Sequence, residues 1–380
     1  MCFQGNAWIS SIVGVRGSDW ILRTTASLAK RNDTGKINSS PKSVMQPIVR
    51  LQLGCNHTIP VPVSDPDKDD VRCRWAISNK AECGGICNSF KGAEMHEREC
   101  TISYSAKHIG WYGVAVQIED FNSTESLESL SSVPLQFLVV VFSSNTTCAS
   151  KSTFVEPTRV DGSCIGIPFN TTYFDQIVSR SSSQTISIRE IQTSSPQGMI
   201  KSGLDMYANR EWYVNISWTP VIGQAGPNIF CYTALDSNEA NSNKICVKLL
   251  VGVSPPDIID VQPVGDIYPN HNKWTIIFDK QFERPNRTTF IYFKERDTDA
   301  VVHKVDISTS RNAQFPQGAI RKTLTVQTNF VFKEKNHYYV NLDPGAGRGK
   351  TDYCKVESPP IRSHTFWSFR IINKYKQYLY

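Results

Sequence analysis

The stretch Tyr112-Gly113-Val114-Ala115-Val116-Gln117-Ile118 alternates four large residues with small or polar ones. Because successive side chains of a strand point to opposite faces, this pattern predicts a β-strand with one face in a core. Sustained helical periodicity is hard to find anywhere in the 380 residues of the chain. The sequence therefore predicts an all-β fold.

Similar short strands recur on both sides of this stretch, with turn residues spaced about ten residues apart. In Val214-Asn215-Ile216-Ser217-Trp218, the alternation places Val214, Ile216 and Trp218 inward and Asn215 toward solvent. The longest apolar run, residues 134–142, is too short to cross a bilayer and predicts a buried strand. Together these features predict tandem immunoglobulin-like antiparallel β-sandwich domains.

Turn residues and composition divide the chain into modules. We expect residues 1–45 to be the tail of a truncated upstream module and residues 370–380 to be a C-terminal tail. Between these tails we expect three immunoglobulin-like sandwiches, at the cysteine-rich segment 46–142 and at 143–253 and 254–369. Ser254-Pro255-Pro256 is the expected linker, because two prolines cannot continue a central strand.

Eleven cysteines and eight Asn-x-Ser/Thr sequons indicate an extracellular compartment. The candidate glycosylation sites are Asn32, Asn38, Asn56, Asn122, Asn145, Asn170, Asn215 and Asn286. The first residues do not have the pattern of a secretory signal, so we expect a fragment of a longer secreted or surface protein, whose signal and anchor lie outside this chain. The alternative is a cytosolic protein whose sequons are never used.

The cysteines fall into groups that follow the predicted modules. The disulfide candidates are Cys73 with Cys100, Cys83 with Cys87, and Cys231 with Cys246, together with Cys148 and Cys164, although sequence alone does not fix the pairing. One cysteine of the first module must pair elsewhere or stay free. Cys2 and Cys354 stand alone near the ends of the chain.

Two groups of residues could bind a metal ion, and each also has a simpler structural interpretation. Asp65, Asp67 and Asp69 lie in one loop and could offer oxygen ligands to calcium, or could form a solvated turn. A zinc site could use the four cysteines of residues 73–100 with His96, but the spacing lacks the repeated short knuckle, and an oxidising compartment favours disulfides. We expect no cofactor, with calcium at the aspartate loop as the one exception.

Residues 344–351, Pro-Gly-Ala-Gly-Arg-Gly-Lys-Thr, approach the pattern of a phosphate-binding loop. The required first glycine is Pro344, and the residues that follow cannot open a long helix, so a glycine-rich loop or hairpin is favoured. The net charge of +6 comes from residues 254–380, but these cations do not cluster in the sequence, so no nucleic-acid partner is predicted. The chain also has no predicted membrane-spanning segment.

The segments 54–58, 65–75, 82–87, 100–104, 110–112 and 132–139 resemble segments of large modular extracellular proteins of invertebrates, which accompany von Willebrand factor D and EGF-like modules. The third module, with residues 274–280, Arg284-Pro285 and Phe366-Trp367, is similar to immunoglobulin-like domains also found in bacterial surface proteins. Cadherin-like sandwiches also use calcium between modules, but their Asp-x-Asn-Asp-Asn linker is missing here. The resemblance implies a surface or matrix role.

The leading functional prediction is a non-enzymatic glycoprotein fragment, in which sandwich modules act as spacers and protein-contact surfaces in cell adhesion or extracellular matrix. Its expected partners are other extracellular or matrix proteins. One alternative is the ligand-binding ectodomain of a membrane receptor. Another is an accessory segment of a larger secreted enzyme.

Overall fold

Alternating apolar residues form strands throughout the computed structural model, which describes residues 1–6, 8–9, 11–15, 19–144, 146–315 and 322–372. Up to Phe142 the strands are β1 (Cys2–Asn6), β2 (Asp19–Arg23), β3 (Thr25–Ala26), β4 (Lys42–Ser43), β5 (Ile48–Gln52), β6 (Asn56–Pro60), β7 (Val63–Ser64), β8 (Asp70–Trp75), β9 (Glu94–His96), β10 (Thr101–Ser105), β11 (Gly110–Phe121) and β12 (Ser131–Phe142). The next group is β13 (Thr153–Val155), β14 (Cys164–Ile167), β15 (Tyr173–Arg180), β16 (Ile188–Ser194), β17 (Ile200–Lys201), β18 (Asp205–Ala208), β19 (Glu211–Trp218), β20 (Gly226–Asp236) and β21 (Ile245–Val251).

The remaining strands are β22 (Ile258–Gln262), β23 (Gly265–Ile267), β24 (Lys273–Phe278), β25 (Phe290–Glu295), β26 (Val301–Asp306), β27 (Ala313–Gln314), β28 (Thr323–Gln327), β29 (His337–Leu342), β30 (Arg348–Lys350), β31 (Lys355–Glu357) and β32 (Ser368–Ile371). Within the described ranges the helices are three short 3₁₀ turns, at Ser78–Lys80, Gly84–Ile86 and Ile222–Gln224. None of them has the length and apolarity to cross a lipid bilayer.

The chain divides into two compact units. Unit 1 contains Met1–Ser163 and Phe169–Val251, and unit 2 contains Cys164–Pro168 and Gly252–Tyr380. The finer module boundaries predicted at residues 45, 142, 253 and 369 remain predictions. Residues 1–45 nevertheless contribute to unit 1, since β3 pairs with β12.

The first part of unit 1 is a sandwich of two sheets. In one sheet β11 pairs antiparallel with β8 and β12, and β12 pairs parallel with β5. In the other sheet β10 pairs with β6 and β9. Both sheets supply one buried cluster, which includes Ile59, Ile102, Val114, Val116 and Val139. The alternation at residues 112–118 therefore places one face of β11 in this core, as predicted.

The second part of unit 1 is also built from two sheets. β15 and β19 pair in one of them, and β16, β20 and β21 pair in the other. Phe154 on β13 and Tyr232 on β20 join the two sheets through an edge-to-face ring contact at 5.0 Å. Val214, Ile216 and Trp218 are each 1% exposed, which confirms their predicted inward direction.

Unit 2 contains a third sandwich. One sheet has the order β22-β24-β28-β27, and the other has the order β23-β32-β29-β25-β26, in which β23 and β32 are parallel. Trp274 of the first sheet and Phe293 of the second lie in one buried cluster, with ring centroids 4.6 Å apart. The predicted all-β class of antiparallel sandwiches is confirmed, with two parallel strand pairs added to it.

Five disulfides close loops within the two units. They join Cys55 to Cys148, Cys73 to Cys100, Cys83 to Cys87, Cys164 to Cys354 and Cys231 to Cys246. Cys2 is exposed and is the free cysteine of the described residues. Cys55 is the cysteine of the first module that has no partner within that module. Its bond to Cys148 crosses the predicted boundary at residue 142. Such a set of bonds is typical of a protein that folds in an oxidising compartment.

Candidate functional site

The predicted calcium loop lies between β7 and β8, and its aspartates have different partners. The Oδ1 atom of buried Asp65 accepts the backbone N–H groups of Asp67 and Asp69 at 2.8 and 3.1 Å. The Asp67 carboxylate instead accepts the N–H and hydroxyl of Ser39 at 2.6 and 3.3 Å. The carboxylates that converge are those of Asp65, Asp69 and Asp120, with one oxygen of each within 4.8 Å of the others. A cation here would contact Asp65, Asp69 and Asp120, whereas the sequence predicted Asp65, Asp67 and Asp69.

Arg31 supplies the positive charge of the acidic cluster. Its guanidinium binds both oxygens of Asp69, with 2.8 Å between Nη2 and Oδ1, and Nη2 also lies 2.7 Å from the Asp33 carboxylate. Arg31 Nη1 donates to Asn38 Oδ1 at 2.8 Å, and Asn38 Nδ2 donates to Asp120 at 2.6 Å. The side chains of Arg31 and Asp69 are each 6% exposed, so salt screens this ion pair only weakly.

Asp65 differs from Asp69 and Asp120 in having an unpaired carboxylate oxygen among the described residues. Its Oδ2 atom is buried and has no hydrogen-bond partner in the part of the chain that the structure describes. Burial raises the pKa of Asp65 to about 6, and the charges of Asp69 and Asp120 act in the same direction. The arrangement is an ion-pair network around Arg31 in which one carboxyl group is easily protonated.

Because Arg31 already binds both oxygens of Asp69, we expect calcium to add little to the stability of the protein. The midpoint of thermal unfolding in about 1 mM calcium should lie within about 1 °C of the midpoint in EDTA. In Arg31→Met the cluster loses the guanidinium that pairs with Asp69, and calcium should then raise the midpoint clearly. Scanning fluorimetry measures both; a calcium-dependent midpoint in the unaltered chain would contradict this account.

The residues of the alternative zinc site have other partners. Cys73, Cys83, Cys87 and Cys100 form two disulfides, and His96 Nε2 lies 2.8 Å from Ser103 Oγ. Zinc is bound by thiolate sulfur, which a disulfide does not provide. In this oxidised form the four cysteines are therefore structural.

Most of the sequon asparagines are accessible to a modifying enzyme. Six of them are exposed, at Asn32, Asn56, Asn122, Asn170, Asn215 and Asn286. Asn38 is half-buried, and the nitrogen that would carry a glycan donates to Asp120. Asn145 lies outside the described residues. Glycosylation stays a prediction, and Asn38 is the site where a glycan would disturb an existing hydrogen bond.

A cavity of about 400 Å³ lies in unit 1, between strands β5 and β6 on one side and residues 240–244 on the other. We call it the unit 1 cavity. No carboxylate occurs among the residues that line it. One part of the wall is apolar, and the rest carries side-chain amides, from Gln46, Gln52, Asn56, Asn241 and Asn243. Mixed walls of this kind are typical of small-molecule sites.

Three polar side chains of the cavity wall have an atom without a partner. These atoms are Gln46 Nε2, Thr233 Oγ1 and Asn241 Oδ1, none of which has a hydrogen-bond partner within the described ranges. Gln46 is 5% exposed and Thr233 is 3% exposed, so neither relies on bulk water. Since nearly all buried polar groups in folded proteins are paired, three unpaired ones around one cavity need an explanation.

Positive charge also faces the unit 1 cavity. The Lys244 ammonium lies 3.0 Å from Met45 Sδ and 3.5 Å from the Pro60 carbonyl oxygen. Burial lowers the pKa of Lys244 to about 8. Burial likewise lowers the pKa of His57, whose Nε2 lies 2.9 Å from the Gln52 carbonyl oxygen. The cavity therefore offers an amine that has no anionic partner in the part of the chain that the structure describes.

The sequence analysis did not identify several residues that define the aspartate cluster and the unit 1 cavity. Asp120 could have been noticed in the sequence, because it is a carboxylate inside the long apolar strand β11. The structure buries it completely, at 0% exposed. Arg31 lay in the segment interpreted as a truncated tail. Thr233 and Lys244 gave no signal, because their roles depend on β5 and β6, which lie far away in the sequence.

Neither a protein-family model nor a curated protein sequence matches the chain. Among solved structures, the endo-fucoidan hydrolase MfFcnA9 from glycoside hydrolase family 107 is similar with a TM-score of 0.21 and 12% identity, over 56% of this chain and 34% of that chain. The endo-fucoidan hydrolase MfFcnA4, from the same family, has a TM-score of 0.21 and 12% identity, over 88% of this chain and 44% of that one. This chain thus spans less than half the length of these hydrolases.

The ectodomain of mouse nectin-like molecule 4 (Ig1–Ig3) is also similar, with a TM-score of 0.16 and 10% identity, over 86% of this chain and 98% of that chain. Likenesses at these TM-scores carry no argument about the activity of this chain. The leading functional prediction, a non-enzymatic spacer for adhesion or matrix, is corrected by the finding that the similar structures include endo-fucoidan hydrolases. The receptor alternative is withdrawn with it.

Proposed function

We propose that this chain is a sugar-binding accessory segment of a larger secreted enzyme that acts on a polysaccharide. The segment would hold the polymer in the unit 1 cavity, and a catalytic domain elsewhere in the parent protein would cut it. The observation that carries the proposal is the set of unpaired polar atoms around a cavity of about 400 Å³.

The chemistry of the wall fits a sugar. A pyranose ring presents hydroxyl groups at its edge and C–H groups on its faces, so its binding site needs both polar and apolar contacts. Side-chain amides can donate to one hydroxyl group and accept from another. Val49, Leu51 and Phe142 supply apolar surface in the same wall.

The disulfides support a secreted location for the parent enzyme. Oxidising compartments favour such bonds, and a loop as long as that between Cys55 and Cys148, 93 residues apart, gains stability from its closure. The exposed sequons agree with this location. Native material should therefore contain the five disulfides, as mass spectrometry under non-reducing conditions would measure.

The Thr233→Val variant tests the cavity directly. Valine keeps the shape of threonine and removes a buried hydroxyl group that has no partner, so the free protein should keep its stability or gain up to about 1 kcal/mol. If a sugar hydroxyl pairs with this group in the complex, the variant should bind about fivefold more weakly or worse. Calorimetric titration with a panel of polysaccharides, fucoidan included, measures the affinity.

Thr158→Val is the matched control. Thr158 lies in unit 1 outside the cavity wall; its hydroxyl group donates to the Val178 carbonyl at 3.0 Å and accepts the Val178 N–H at 2.7 Å. This variant should lose about 1 kcal/mol or more of stability and keep its affinity. Equal affinities of Thr233→Val and the unaltered chain for every polysaccharide would contradict the cavity as the binding site.

The accessory role has a separate test in the parent enzyme. Deleting this segment should reduce cleavage of the polymer and leave cleavage of a short soluble substrate unchanged, because only the polymer needs a second point of attachment. Equal loss on both substrates would contradict the accessory role.

A further inference from the structure

Unit 2 contains an open cleft of about 780 Å³ between the loop that follows β24 and the strand β30. We call it the unit 2 cleft. Four cationic side chains line it: Lys280, Lys322, Arg348 and Lys350. The sequence separates these residues by up to 70 positions, so the fold brings together cations that do not cluster in the chain.

The backbone of β30 directs two of the cations into the cleft. Gly349 lies against Pro256, where an added Cβ atom would come within 3.0 Å of the proline ring. Because neighbouring residues of a strand point to opposite faces, Arg348 and Lys350 project from the other side. Backbone hydrogen bonds of 2.9 and 3.1 Å between Glu283 and Arg348 hold the strand in place.

This region is the one that resembled a phosphate-binding loop in the sequence. The structure makes it a hairpin, in which β30 pairs with β31, and it contains no helix start that could face an anion. The cleft must therefore attract an anion through its side chains, and not through the backbone cradle of a phosphate loop.

The carboxylates near the cleft are already engaged. Glu283 is the one carboxylate that lines it, and Lys355 pairs with Glu283. Glu357 lies close enough to influence Arg348, but it binds Arg287 at 2.6 Å. No hydrogen bond or ion pair engages the Arg348 guanidinium among the described residues. Burial also lowers its pKa, because the charges of Glu357 and Glu283 only partly offset the desolvation of the guanidinium.

Two of the lysines are anchored by backbone oxygens. Lys280 Nζ lies 3.1 Å from the Ser254 carbonyl and 3.6 Å from the Asp279 carboxylate, and Lys322 donates to the Asp279 carbonyl. Carbonyl contacts orient an ammonium group without neutralising it, and of these two lysines it is Lys280 that also has a carboxylate nearby, that of Asp279. The cleft therefore keeps an excess of positive charge.

We propose that the unit 2 cleft binds the sulfate or carboxylate groups of an acidic polysaccharide. Oxyanions are the partners that a guanidinium and ammonium groups recognise through charge-assisted hydrogen bonds. A saccharide is favoured over a nucleic acid because single-stranded bases bind by stacking on exposed aromatic rings, and the one ring in the lining, Phe282, is 6% exposed. This site is separate from the unit 1 cavity and does not depend on the function proposed for it.

The test compares dextran sulfate with uncharged dextran of the same length, on the full disulfide-bonded chain. The double variant Arg348→Gln/Lys350→Gln should bind dextran sulfate at least about tenfold more weakly than the unaltered chain. Lys273→Gln/Lys333→Gln removes the same charge from exposed residues of unit 2 outside the cleft, and it should change the affinity less than about twofold. Lys350→Gln alone, an exposed position, gives the same direction of change without risk to the fold.

Three results would overturn the proposal. The first is binding of dextran as tight as that of dextran sulfate. The second is an equal loss in both double variants, which would indicate a general charge effect. The third is tighter binding of single-stranded DNA than of dextran sulfate, together with a loss of DNA binding in Arg348→Gln/Lys350→Gln.

Discussion

Trp274→Ala should destabilise unit 2 by about 3–5 kcal/mol, the largest effect we expect from a single substitution. Trp274 is 0% exposed, and its ring lies within 4.6 to 6.2 Å of the rings of Phe293, Phe332, Trp367 and Phe369. Its indole N–H also donates to Thr328 Oγ1 at 3.0 Å. Alanine would leave a cavity at the centre of the sandwich and an unpaired hydroxyl group.

The matched control is Phe366→Ala, because Phe366 is a large aromatic residue of the same unit that is 45% exposed. Its loss should change the free energy of unfolding by less than about 0.5 kcal/mol. Urea denaturation, with hydrogen exchange of unit 2 peptides as the readout, measures the free energy of unfolding of unit 2 in both variants. Similar stabilities of the two would contradict the position of Trp274 in the core.

Lys244→Met should stabilise the protein at neutral pH, by at most about 3 kcal/mol and by less where water reaches the cavity. Burial lowers the pKa of Lys244 from 10.5 to about 8. Below pH 8 the folded chain must therefore hold a charge that burial disfavours. Methionine has nearly the same length and carries no charge, so it removes this penalty.

The gain from Lys244→Met should depend on pH in a defined direction. Between pH 8 and pH 10.5 the folded chain has lost the Lys244 proton while the unfolded chain keeps it, so the stability of the unaltered protein rises through this range. The advantage of methionine should be largest at pH 7 and vanish near pH 10.5. Lys107→Met, at an exposed position of unit 1, should show no such difference. A gain that is equal at both pH values would contradict the buried amine.

The alternation of side chains was enough to predict the all-β class and the inward faces of single strands. Val214, Ile216 and Trp218 illustrate this, since local periodicity alone determines which face of β19 is apolar. Pairing between strands was not predictable in the same way. The parallel contact of β5 with β12 depends on residues far apart in the chain, and no local signal marks it.

The disulfides show the same limit. Cys83 and Cys87 are close in sequence, and so were natural candidates for a local loop. Cys354 lies 190 residues from its partner Cys164, a distance at which spacing carries no information about pairing. The module scheme, which kept cysteines of different modules apart, hid this bond.

The candidate sites were harder to predict because each is assembled in space. The aspartate loop was visible in the sequence, but Arg31 and Asp120, which define its chemistry, come from other segments. The four cations of the unit 2 cleft do not cluster along the chain, so the sequence gives no sign that they meet. The unit 1 cavity combines strands β5 and β6 with the residues before β21, and composition contains no trace of it.

The most direct test of the central claim is a crystal structure of the disulfide-bonded chain soaked with an oligosaccharide of the polysaccharide that it binds best. We predict one sugar ring in the unit 1 cavity, with hydroxyl groups within hydrogen-bond distance of Gln46, Thr233 and Asn241. A cavity that holds only water while the sugar lies elsewhere on the chain would contradict the account.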